Sequence, residues 1–276
     1  MKKNNFKRGI LYLLLIFVLV WAIFPIVWFF IVSVKTGFLA FSKPSWEQPL
    51  TLQNYVTTFQ DAWFIKYFVN TIVIGLTATA ISLLFGVPAA YALTRFKWKG
   101  SESMAFWFLF TYMLPPIAYL IPLFLIFNGL NLINTHFALI ISYQPFGIGL
   151  VTWMMRGYFK SVSQDIEEAA MIDGLSRFRA FIRIVIPVTA PGLAASAILL
   201  FVLLWNAFLW PLILSGPETK TIPLHMLKFI SIYEINWGVM AATSTVCIIP
   251  VLIFGVLVQK QLVSGLTFGL FEEKKE

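Results

Sequence analysis

Long uncharged runs alternate with short charged segments along the whole chain. A membrane-spanning helix needs about 20 mainly apolar residues, so this pattern predicts an all-α membrane protein with six spanning helices. We place the spans near 9–34, 69–93, 104–127, 137–155, 193–214 and 237–258. Together they predict one transmembrane domain over 9–262, between a basic tail at 1–8 and a second tail at 263–276.

Prolines and glycines distinguish two of these spans from the others. Pro115, Pro116 and Pro122 interrupt the third span. A proline inside a membrane helix frees a carbonyl group, which then needs another partner. We therefore expect this helix to be kinked, and to pack inside the bundle or beside a watery path. In the fourth span, Gly147 and Gly149 predict close packing against another helix.

Three of the connecting segments carry structural signals of their own. The sequence TLQNYVTTF at 51–59 predicts a short interfacial helix. The segment 215–236 contains a glycine and two prolines and is too irregular to span. The segment 160–191 holds the longest charged stretch, and its pattern predicts two helices joined by a turn, lying outside the bilayer core.

End signals define the first helix of this pair. Ser163 is a suitable N-cap, because its side-chain oxygen can accept a hydrogen bond from a free backbone N–H. Gly174 is predicted to end the helix, since glycine takes the left-handed conformation at no steric cost. The helical period places a narrow stripe suited to close docking on one face: Ile166, Ala169, Ala170 and Asp173.

The second helix of the pair follows Gly174. Its period places four apolar side chains on one face, namely Phe178, Phe181, Ile182 and Val185. Pro187 and Pro191 are predicted to end this helix before the next apolar run, because proline cannot continue a helix without a break.

Composition and charge exclude several classes of protein. The chain is 59% hydrophobic and 12% charged, against about 25% charged residues in soluble domains. A net charge of +8 would suggest nucleic-acid binding in a soluble protein, but here the basic residues flank apolar runs. We therefore predict no nucleic-acid partner. One cysteine and two histidines leave no internal disulfide framework and no clustered zinc ligands.

The distribution of lysine and arginine predicts the orientation in the membrane. If both termini are cytoplasmic, five of the 20 basic residues lie in outer segments and the other fifteen lie inside. Inner segments are enriched in lysine and arginine, so we expect both termini and the helix-turn-helix to be cytoplasmic. The five outer residues are Lys35, Lys43, Lys66, Lys220 and Lys228.

The six core runs contain no Asp, Glu, Lys, Arg or His. An intramembrane enzyme or an ion-coupled carrier would need such groups at membrane depth. The chain also lacks a GxxxxGK[ST] phosphate loop and therefore an ATP site of that kind. We predict a transport protein that is not an enzyme, and because the charged segment 160–191 is suited to docking another protein, we expect its energy to come from another subunit. A self-contained channel or carrier is the alternative.

The charged segment resembles the EAA loop of ABC importer permeases. The residues that carry this resemblance are Glu168, Ala169, Ala170, Gly174, Ile184, Ile186 and Pro187. Further matching motifs are LINTH at 132–136, MMRGYF at 154–159, AAMIDG at 169–174, PG at 191–192 and WNAFLWPL at 205–212. Together these motifs are similar to those of the carbohydrate-importer branch, and within it to the MalG-type subunit.

This resemblance implies the type I importer permease fold, also called MetI-like. It implies a permease subunit of an ATP-driven sugar importer, with an importer of a non-carbohydrate solute as the alternative. The implied partners are a second homologous permease, two ATP-binding subunits, an extracytoplasmic sugar-binding protein and the lipid bilayer of the inner membrane. ATP and Mg²⁺ would be bound by the ATP-binding subunits, and this chain would bind no cofactor and no metal.

The resemblance also implies which residues act. In the EAA loop at 160–191, coupling to the ATPase is expected of Glu167, Glu168, Ala169, Ala170, Asp173 and Gly174. Glu168 is expected to form a salt bridge with a basic residue of the ATPase. The outer segment 216–237, with Gly216, Pro217 and Pro223, is expected to dock the binding protein.

Polar residues at membrane depth are candidates for a sugar path, because sugars are bound by aromatic rings and by hydroxyl or amide hydrogen bonds. The candidates are Thr111, Tyr112, Tyr119 and Asn206. Thr79 and Ser82 of the second span have the same polar character. Such side chains also join helices through hydrogen bonds, and the sequence leaves both interpretations open.

Overall fold

The computed structural model describes residues 2–35, 49–230 and 235–272, and describes side chains within 10–35, 49–230 and 235–259. These residues form helices and no β-sheet. The extended pairing among them consists of isolated bridges between Lys35 and Leu50 and between Ile230 and Ile235. The all-α prediction is confirmed.

Fourteen α-helices follow one another along the described residues, together with one π-helical turn and one 3-10 turn. The α-helices are α1 Lys2–Ser33, α2 Gln53–Gln60, α3 Phe64–Arg95, α4 Ser101–Met113, α5 Pro116–Gly129, α6 His136–Ser142, α7 Gln144–Ser161, α8 Gln164–Ile172, α9 Arg177–Ala180, α10 Ile186–Val188, α11 Ala190–Trp205, α12 Leu209–Leu214, α13 Ile222–His225 and α14 Trp237–Glu272. The π-helical turn is Phe181–Val185 and the 3-10 turn is Met226–Phe229.

Candidate membrane spans follow from length and composition. Four single helices within the described ranges qualify: Ile10–Ser33, Phe64–Arg95, His136–Ser161 and Trp237–Gln259. Two bent pairs raise the number to six when each pair counts as one span. In the first, α4 and α5 meet at 86°; in the second, Arg177–Val188 meets α11 at 73°. The fold is thus an all-helical membrane protein of four to six spans.

The third predicted span is broken more sharply than a kink. Leu114 and Pro115, between α4 and α5, both have extended ψ angles, 126° and 127°. Each precedes a proline, and the proline ring disfavours helical backbone in the residue before it. Two successive prolines therefore turn the chain by 86°.

The fifth predicted span, 193–214, is not one continuous helix. It begins earlier, at Ala190, and α11 ends at Trp205, after which three residues separate it from α12. Pro211 explains the break, because it has no N–H to donate to the carbonyl of Ala207 and its ring would clash there. The span predicted at 193–214 is thus divided between two helices.

Pro187 and Pro191 are together predicted to end the second helix of the charged segment, and that helix ends between them, at Val188, and not at Pro187 itself. The helix continues to Val188 through the π-helical turn, in which the Ile186 N–H donates to the Phe181 carbonyl five residues back. This wider turn accommodates Pro187, which offers no N–H of its own. Pro191 lies in the first turn of α11, where a proline is tolerated.

The structure describes most of the two tails predicted at 1–8 and 263–276, and all of the short helix predicted at 51–59. The predicted tail 1–8 is helical from Lys2 onward, and α14 runs through most of the tail predicted at 263–276. Residues 1 and 273–276 lie outside the described residues, as do 36–48 and 231–234 of the predicted outer segments. The helix predicted at 51–59 is confirmed as α2.

The described chain forms two compact units. The first contains the described parts of Met1–Lys66 and His225–Ile249. In it, the Asn54 side-chain amide donates to the carbonyls of Ser33 at 2.8 Å and Lys35 at 2.6 Å. One buried side chain of α2 thus ties that helix to the end of α1.

The second unit contains the described parts of Tyr67–Leu224 and Pro250–Glu276. In it, two glycines of α7 allow close packing, as the sequence predicts. A Cβ on Gly149 would lie 2.6 Å from the Phe108 carbonyl oxygen of α4, and one on Gly147 would lie 2.2 Å from the Ser82 Oγ of α3. Helix α7 therefore approaches both neighbours at distances that only glycine permits.

Candidate coupling site and transport path

Helix α8 begins and ends where the sequence predicts. The Ser163 hydroxyl accepts a hydrogen bond from the Asp165 N–H at 3.2 Å, and Asp165 and Glu167 lie in the first turn. Carboxylates are favoured there by the positive end of the helix dipole. Gly174 has φ +91°, in the left-handed region, and follows the last helical residues. Both end signals are confirmed.

A buried set of three side chains, which we call the α8 anchor, joins α8 to α3: Tyr91, Arg95 and Glu167. The Tyr91 hydroxyl donates to Glu167 Oε2 at 2.8 Å, and Arg95 Nε donates to Glu167 Oε1 at 2.5 Å. Arg95 Nη2 also donates to the Val162 carbonyl at 2.9 Å. The Arg95 and Glu167 side chains are 4% and 6% exposed, so this ion pair is almost fully removed from water.

The structure divides the six predicted coupling residues into two groups. Glu167 and Ala170 are buried against the rest of the chain, whereas Glu168, Ala169, Asp173 and Gly174 are exposed. The small-residue stripe is therefore not the packed face of α8, because Ile166, Ala169 and Asp173 are also exposed. The packed face is set by Glu167, a charged residue that apolar periodicity does not count.

The predicted apolar face of the second helix is only half buried. Phe181 and Val185 lie in the core, with 8% and 0% exposure, and the Phe181 ring lies 4.4 Å from that of Tyr91. Phe178 and Ile182 remain 70% and 48% exposed. This helix thus packs against the Tyr91 ring of the α8 anchor, and it leaves Phe178 and Ile182 uncovered within the described chain.

Two of the predicted path residues lie on α4. Thr111 lines a groove of about 830 Å³ between α4 and α7, whose other walls are mainly apolar. Its hydroxyl donates to the Phe108 carbonyl of its own helix at 2.8 Å. Tyr112 packs its ring 5.1 Å from that of Phe146. Of the four predicted residues, Thr111 alone lines this groove.

The other two predicted path residues lie elsewhere. The Tyr119 hydroxyl of α5 is buried beside the Trp210 indole, and it makes no hydrogen bond of ordinary geometry within the described residues. Asn206, at the break between α11 and α12, is exposed, and its side-chain amide donates to the Val202 carbonyl at 2.8 Å. The structure does not bring the four predicted residues into one cavity.

The polar residues of the second span have structural partners. Ser82 donates to the side-chain oxygen of Gln144 on α7 at 2.9 Å, which joins two helices. The Thr79 hydroxyl donates to the Gly75 carbonyl of its own helix at 2.7 Å. Of the two interpretations that the sequence left open, the structural one describes the contacts of these two side chains.

The segment 215–222 is fastened by Asn134. The Asn134 side-chain oxygen accepts from the N–H groups of Gly216 and Glu218 at 3.0 and 3.1 Å and from the Thr219 hydroxyl at 3.1 Å. Asn134 itself has φ +64°, a left-handed conformation that asparagine tolerates better than most residues. A single amide thus organises the turn that contains the predicted docking residues Gly216 and Pro217.

A second amide, that of Asn70, bonds the carbonyl groups of the same segment. Asn70 donates to the carbonyls of Glu218 and Lys220 at 2.8 and 3.1 Å, and its own oxygen lies 2.9 Å from His136 Nε2. The Thr71 hydroxyl accepts from the Ile222 N–H at 2.9 Å. Predicted docking residue Pro223 follows immediately, in α13. Segment 215–222 is therefore fixed although it is irregular.

A third polar cluster lies in the first compact unit. Asp61 Oδ2 lies 2.8 Å from His225 Nε2 and also bonds the Lys228 ammonium. Desolvation by partial burial raises the pKa of Asp61, but hydrogen bonds from Lys228 and the Trp63 N–H outweigh it. The pKa of Asp61 is therefore held below its ordinary value of 3.8. Asp61 is thus ionised at neutral pH and holds the turn Met226–Phe229 to the start of α3.

Comparison with known proteins decides the family. The family of binding-protein-dependent transport system inner membrane components matches residues 82–267, which include the α8 anchor and segment 215–222. The chain belongs to this family. It is therefore a membrane-embedded permease component of a transport system, not an enzyme, and carries no ATPase site of its own.

Relatives match this permease over nearly its whole length. It is 33% identical over 273 residues to the trehalose/maltose transport system permease protein MalG of Thermococcus litoralis, with 98% of each chain covered. It is 36% identical over 254 residues to the sulfoquinovosyl glycerol transport system permease protein of Agrobacterium fabrum, covering 91% of this chain and 89% of that one.

Solved structures show the same fold. A chain from a crystal structure of a bacterial ABC transporter involved in the import of the acidic polysaccharide alginate has a TM-score of 0.73 and 26% identity, and the match covers 94% of this permease and 98% of that chain. A chain of an inward-facing MetNI methionine transporter has a TM-score of 0.57 at 13% identity, which shows the fold alone. The type I importer permease fold is confirmed.

Sequence reasoning missed several residues of these sites. Tyr91 and Arg95 are four residues apart and therefore share a helix face, but Arg95 reads in the sequence only as a charge that ends a span. The motif LINTH contains both Asn134 and His136 without indicating what they bind. In both cases the partner lies more than 60 residues away in the chain.

Proposed function

We propose that this permease is a subunit of an ATP-driven sugar importer and forms half of its translocation path. The observation that carries the proposal is the match to a trehalose/maltose permease over 98% of both chains. The alginate importer chain, matched over 94% of this one, points to the same substrate class. In this importer the permease lies in the inner membrane beside a second homologous permease. Two ATP-binding subunits hold ATP and Mg²⁺, and an external sugar-binding protein delivers the sugar.

In this proposal, the exposed face of α8 docks on an ATP-binding subunit. Glu168 offers a charge for a salt bridge, Ala169 allows close approach, and Asp173 and Gly174 form the turn that follows. Glu167 and Ala170 have a different part, because they are turned inward. They hold α8 on the permease while its other face is engaged.

The α8 anchor gives this docking a route into the membrane helices. A displacement of α8 pulls on Arg95 and Tyr91 through Glu167, and these two side chains lie in the last turns of α3. Helix α3 extends without interruption from Phe64 to Arg95. A rigid helix carries a movement at one end to its full length, so α8 and α3 move as one body between the inward-facing and outward-facing states.

The opposite end of the second unit is proposed to meet the external binding protein. Asn134 and Asn70 fix segment 215–222, so Gly216, Pro217 and Pro223 are presented on a preformed surface. Preorganisation lowers the entropic cost of docking. This placement puts α8 on the cytoplasmic side, and the distribution of basic residues favours the same side for both termini.

Thr111, Tyr112, Tyr119 and Asn206 remain candidates for the sugar path. Tyr119 has the strongest case, because its buried hydroxyl has only the Trp210 indole beside it and makes no hydrogen bond of ordinary geometry in the described chain, so that hydroxyl groups of a sugar could satisfy it. Thr111 has the weakest case, since its hydroxyl is already bonded within α4.

The test is co-purification after mild solubilisation, followed by an ATPase assay with and without sugar-loaded binding protein. We expect the wild-type permease to bring down an ATPase, and Glu168→Lys to lose it. Glu168→Gln tests charge alone and should weaken the association by about tenfold, since a charged hydrogen bond contributes about 1.5–3 kcal/mol. Lys99→Gln is the control, an exposed charge outside α8 that should leave the association unchanged.

Transport in liposomes separates the alternatives. Uptake by the permease alone, without any ATPase, would establish a self-contained channel or carrier and contradict the proposal. Stimulation by an amino acid or another non-carbohydrate solute, with no response to a panel of mono- and oligosaccharides, would retain the importer and replace its substrate class.

A further inference from the structure

A basic pocket of about 340 Å³ lies beside the α8 anchor. It is bounded by the end of α3, the start of α4, the end of α7 and the start of α8. Among its lining residues are four cations, Arg95, Lys97, Arg156 and Lys160, and one carboxylate, Glu102. None of the predicted coupling residues lines it. The excess of positive charge makes this a pocket for an anion.

The charges in this pocket are unequally satisfied. Arg95 is committed to Glu167 and to the Val162 carbonyl. Arg156 is only 8% exposed; its Nη2 bonds Glu102, but its Nε has no partner within the described residues. A buried guanidinium N–H without an acceptor is costly, so an additional acceptor would stabilise it. Lys97 and Lys160 are exposed, and Lys160 lies close enough to Glu102 to interact with its charge.

Glu102 does not close the pocket. Its side chain is 78% exposed, whereas that of Arg156 is 9% exposed, so the carboxylate covers the guanidinium from outside. A ligand with several acceptor oxygens can approach Arg156 and the two lysines, which all line the pocket, while Glu102 keeps its own bond. A phosphate group has this property, and arginine and lysine are its usual partners.

Two helix starts add to the positive field. Ser101, the first residue of α4, and Gln164, the first residue of α8, both line the pocket. No side chain caps α4, because the preceding residue is Gly100. The starts of helices carry partial positive charge and favour phosphate. Carboxylates in the first turns offset part of this field, namely Glu102 in α4 and Asp165 and Glu167 in α8, and of these only Glu102 lines the pocket.

The surroundings of the pocket are those of a membrane interface. Phe96 and Trp98 alternate with two lysines, Lys97 and Lys99, directly after α3. The Phe96 side chain is 43% exposed and that of Trp98 is 40% exposed. Exposed aromatic rings mixed with lysines mark the level of lipid headgroups. Basic pockets between membrane helices at this level bind anionic headgroups.

We propose that this pocket binds a phosphate group, carried by an anionic phospholipid headgroup or supplied as free phosphate. Arg156 would be the buried anchor of the phosphate, and Lys97 and Lys160 would enclose it. Because Ser163 and Gln164 form part of the wall, an occupant touches the first turn of α8 and links the state of the lipid interface to that helix.

The test is lipid binding by the purified full-length chain in nanodiscs made of phosphatidylcholine with increasing phosphatidylglycerol, read by native mass spectrometry. We expect the wild type to retain phosphatidylglycerol selectively. Lys97→Gln and Lys160→Gln should each weaken that binding by about fivefold, the effect of one basic residue near an anionic surface. Lys99→Gln is the matched control, since this exposed lysine lies outside the pocket and should bind as the wild type does.

A second arm separates the two phosphate sources. Radiolabelled inorganic phosphate is titrated by equilibrium dialysis into the same proteins in pure phosphatidylcholine nanodiscs. Binding that weakens in Lys160→Gln, without selectivity for phosphatidylglycerol, identifies free phosphate; the reverse result identifies the lipid. Equal binding of both probes by wild type and both pocket variants would overturn the proposal, as would an equal loss in Lys99→Gln. Arg156→Gln adds a buried-site variant, but the conclusion rests on the two lysines, which are exposed, so that their substitution leaves no buried group unpaired.

Discussion

The two ends of the second compact unit hold their projecting segments in different ways. Helix α8 is held by one buried ion pair, Arg95 with Glu167, assisted by Tyr91. Segment 215–222 is held by neutral amides, Asn134 and Asn70, which bond five of its polar groups, four of them in the backbone.

The difference follows from backbone hydrogen bonding. A helix satisfies most of its own N–H and C=O groups, so α8 needs only one strong side-chain contact to fix its place. An irregular segment has no such internal pairing, and its backbone groups must be satisfied one by one. The end with the regular element can therefore be held at a single point, which suits a part that moves, whereas the irregular end is held at many points.

The largest expected effect comes from Glu167→Gln. This change removes one partner of a buried ion pair and leaves the Arg95 charge uncompensated, which costs about 3–5 kcal/mol. Hydrogen exchange should show the free energy of opening of α8 falling by that amount, while 215–222 keeps its protection. Glu168→Gln, the exposed neighbour, should change the opening of α8 by less than about 0.5 kcal/mol. Equal effects of the two changes would contradict the α8 anchor.

The next largest effect, at the other end of the unit, comes from Asn134→Ala. Three hydrogen bonds to 215–222 are lost, and the unsatisfied N–H groups cost about 1–3 kcal/mol. Exchange should rise in 215–222 and stay unchanged in α8. Asn131→Ala is the matched control, because Asn131 also has a positive φ, 55°, but lies exposed. If Asn134→Ala loosened both ends, the two attachments would not be independent and the comparison would fail.

A smaller effect is expected at the turn after α8. Gly174→Ala places a Cβ on a residue with φ +91°, where left-handed backbone costs about 1 kcal/mol, although the surrounding space is open. The thermal midpoint should fall slightly and the exchange of 170–175 should rise. Gly157→Ala, in the middle of α7 and also in open space, should be neutral or stabilising. A fall of equal size in both variants would show that conformation at Gly174 is not the cause.

The smallest effect is expected at Asp61, in the first unit. The pKa of Asp61 is lowered in the folded chain, so its ionised contact contributes fully above pH 3.8 and is lost as the pH falls through the lowered value. The contribution is below about 1 kcal/mol, because Lys228 is exposed. Exchange of 61–66, corrected for its intrinsic rate, should rise below pH 3.8 in the wild type and be independent of pH in Asp61→Asn.

The positions of the helices followed from the sequence to a useful extent, because apolar run length and end signals are local. Ser163 and Gly174 act through groups within three residues, and both were predicted correctly. Pro211 and Pro187 act on their helices in opposite ways that the sequence did not indicate. One breaks a helix that apolar content favours, and the other is accommodated by a π-helical turn that composition does not reveal.

The sequence by itself determined the membrane class, the approximate spans, the helix pair that contains α8 and its resemblance to a known loop, because these depend on local composition and spacing. Only the tertiary structure decided which face of α8 is free, what holds it, and how 215–222 is fixed. These depend on contacts between residues 60 or more positions apart, such as Tyr91 with Glu167 and Asn134 with Gly216. A buried glutamate and an exposed one are identical letters in a sequence, and only their neighbours in space distinguish an anchor from a docking surface.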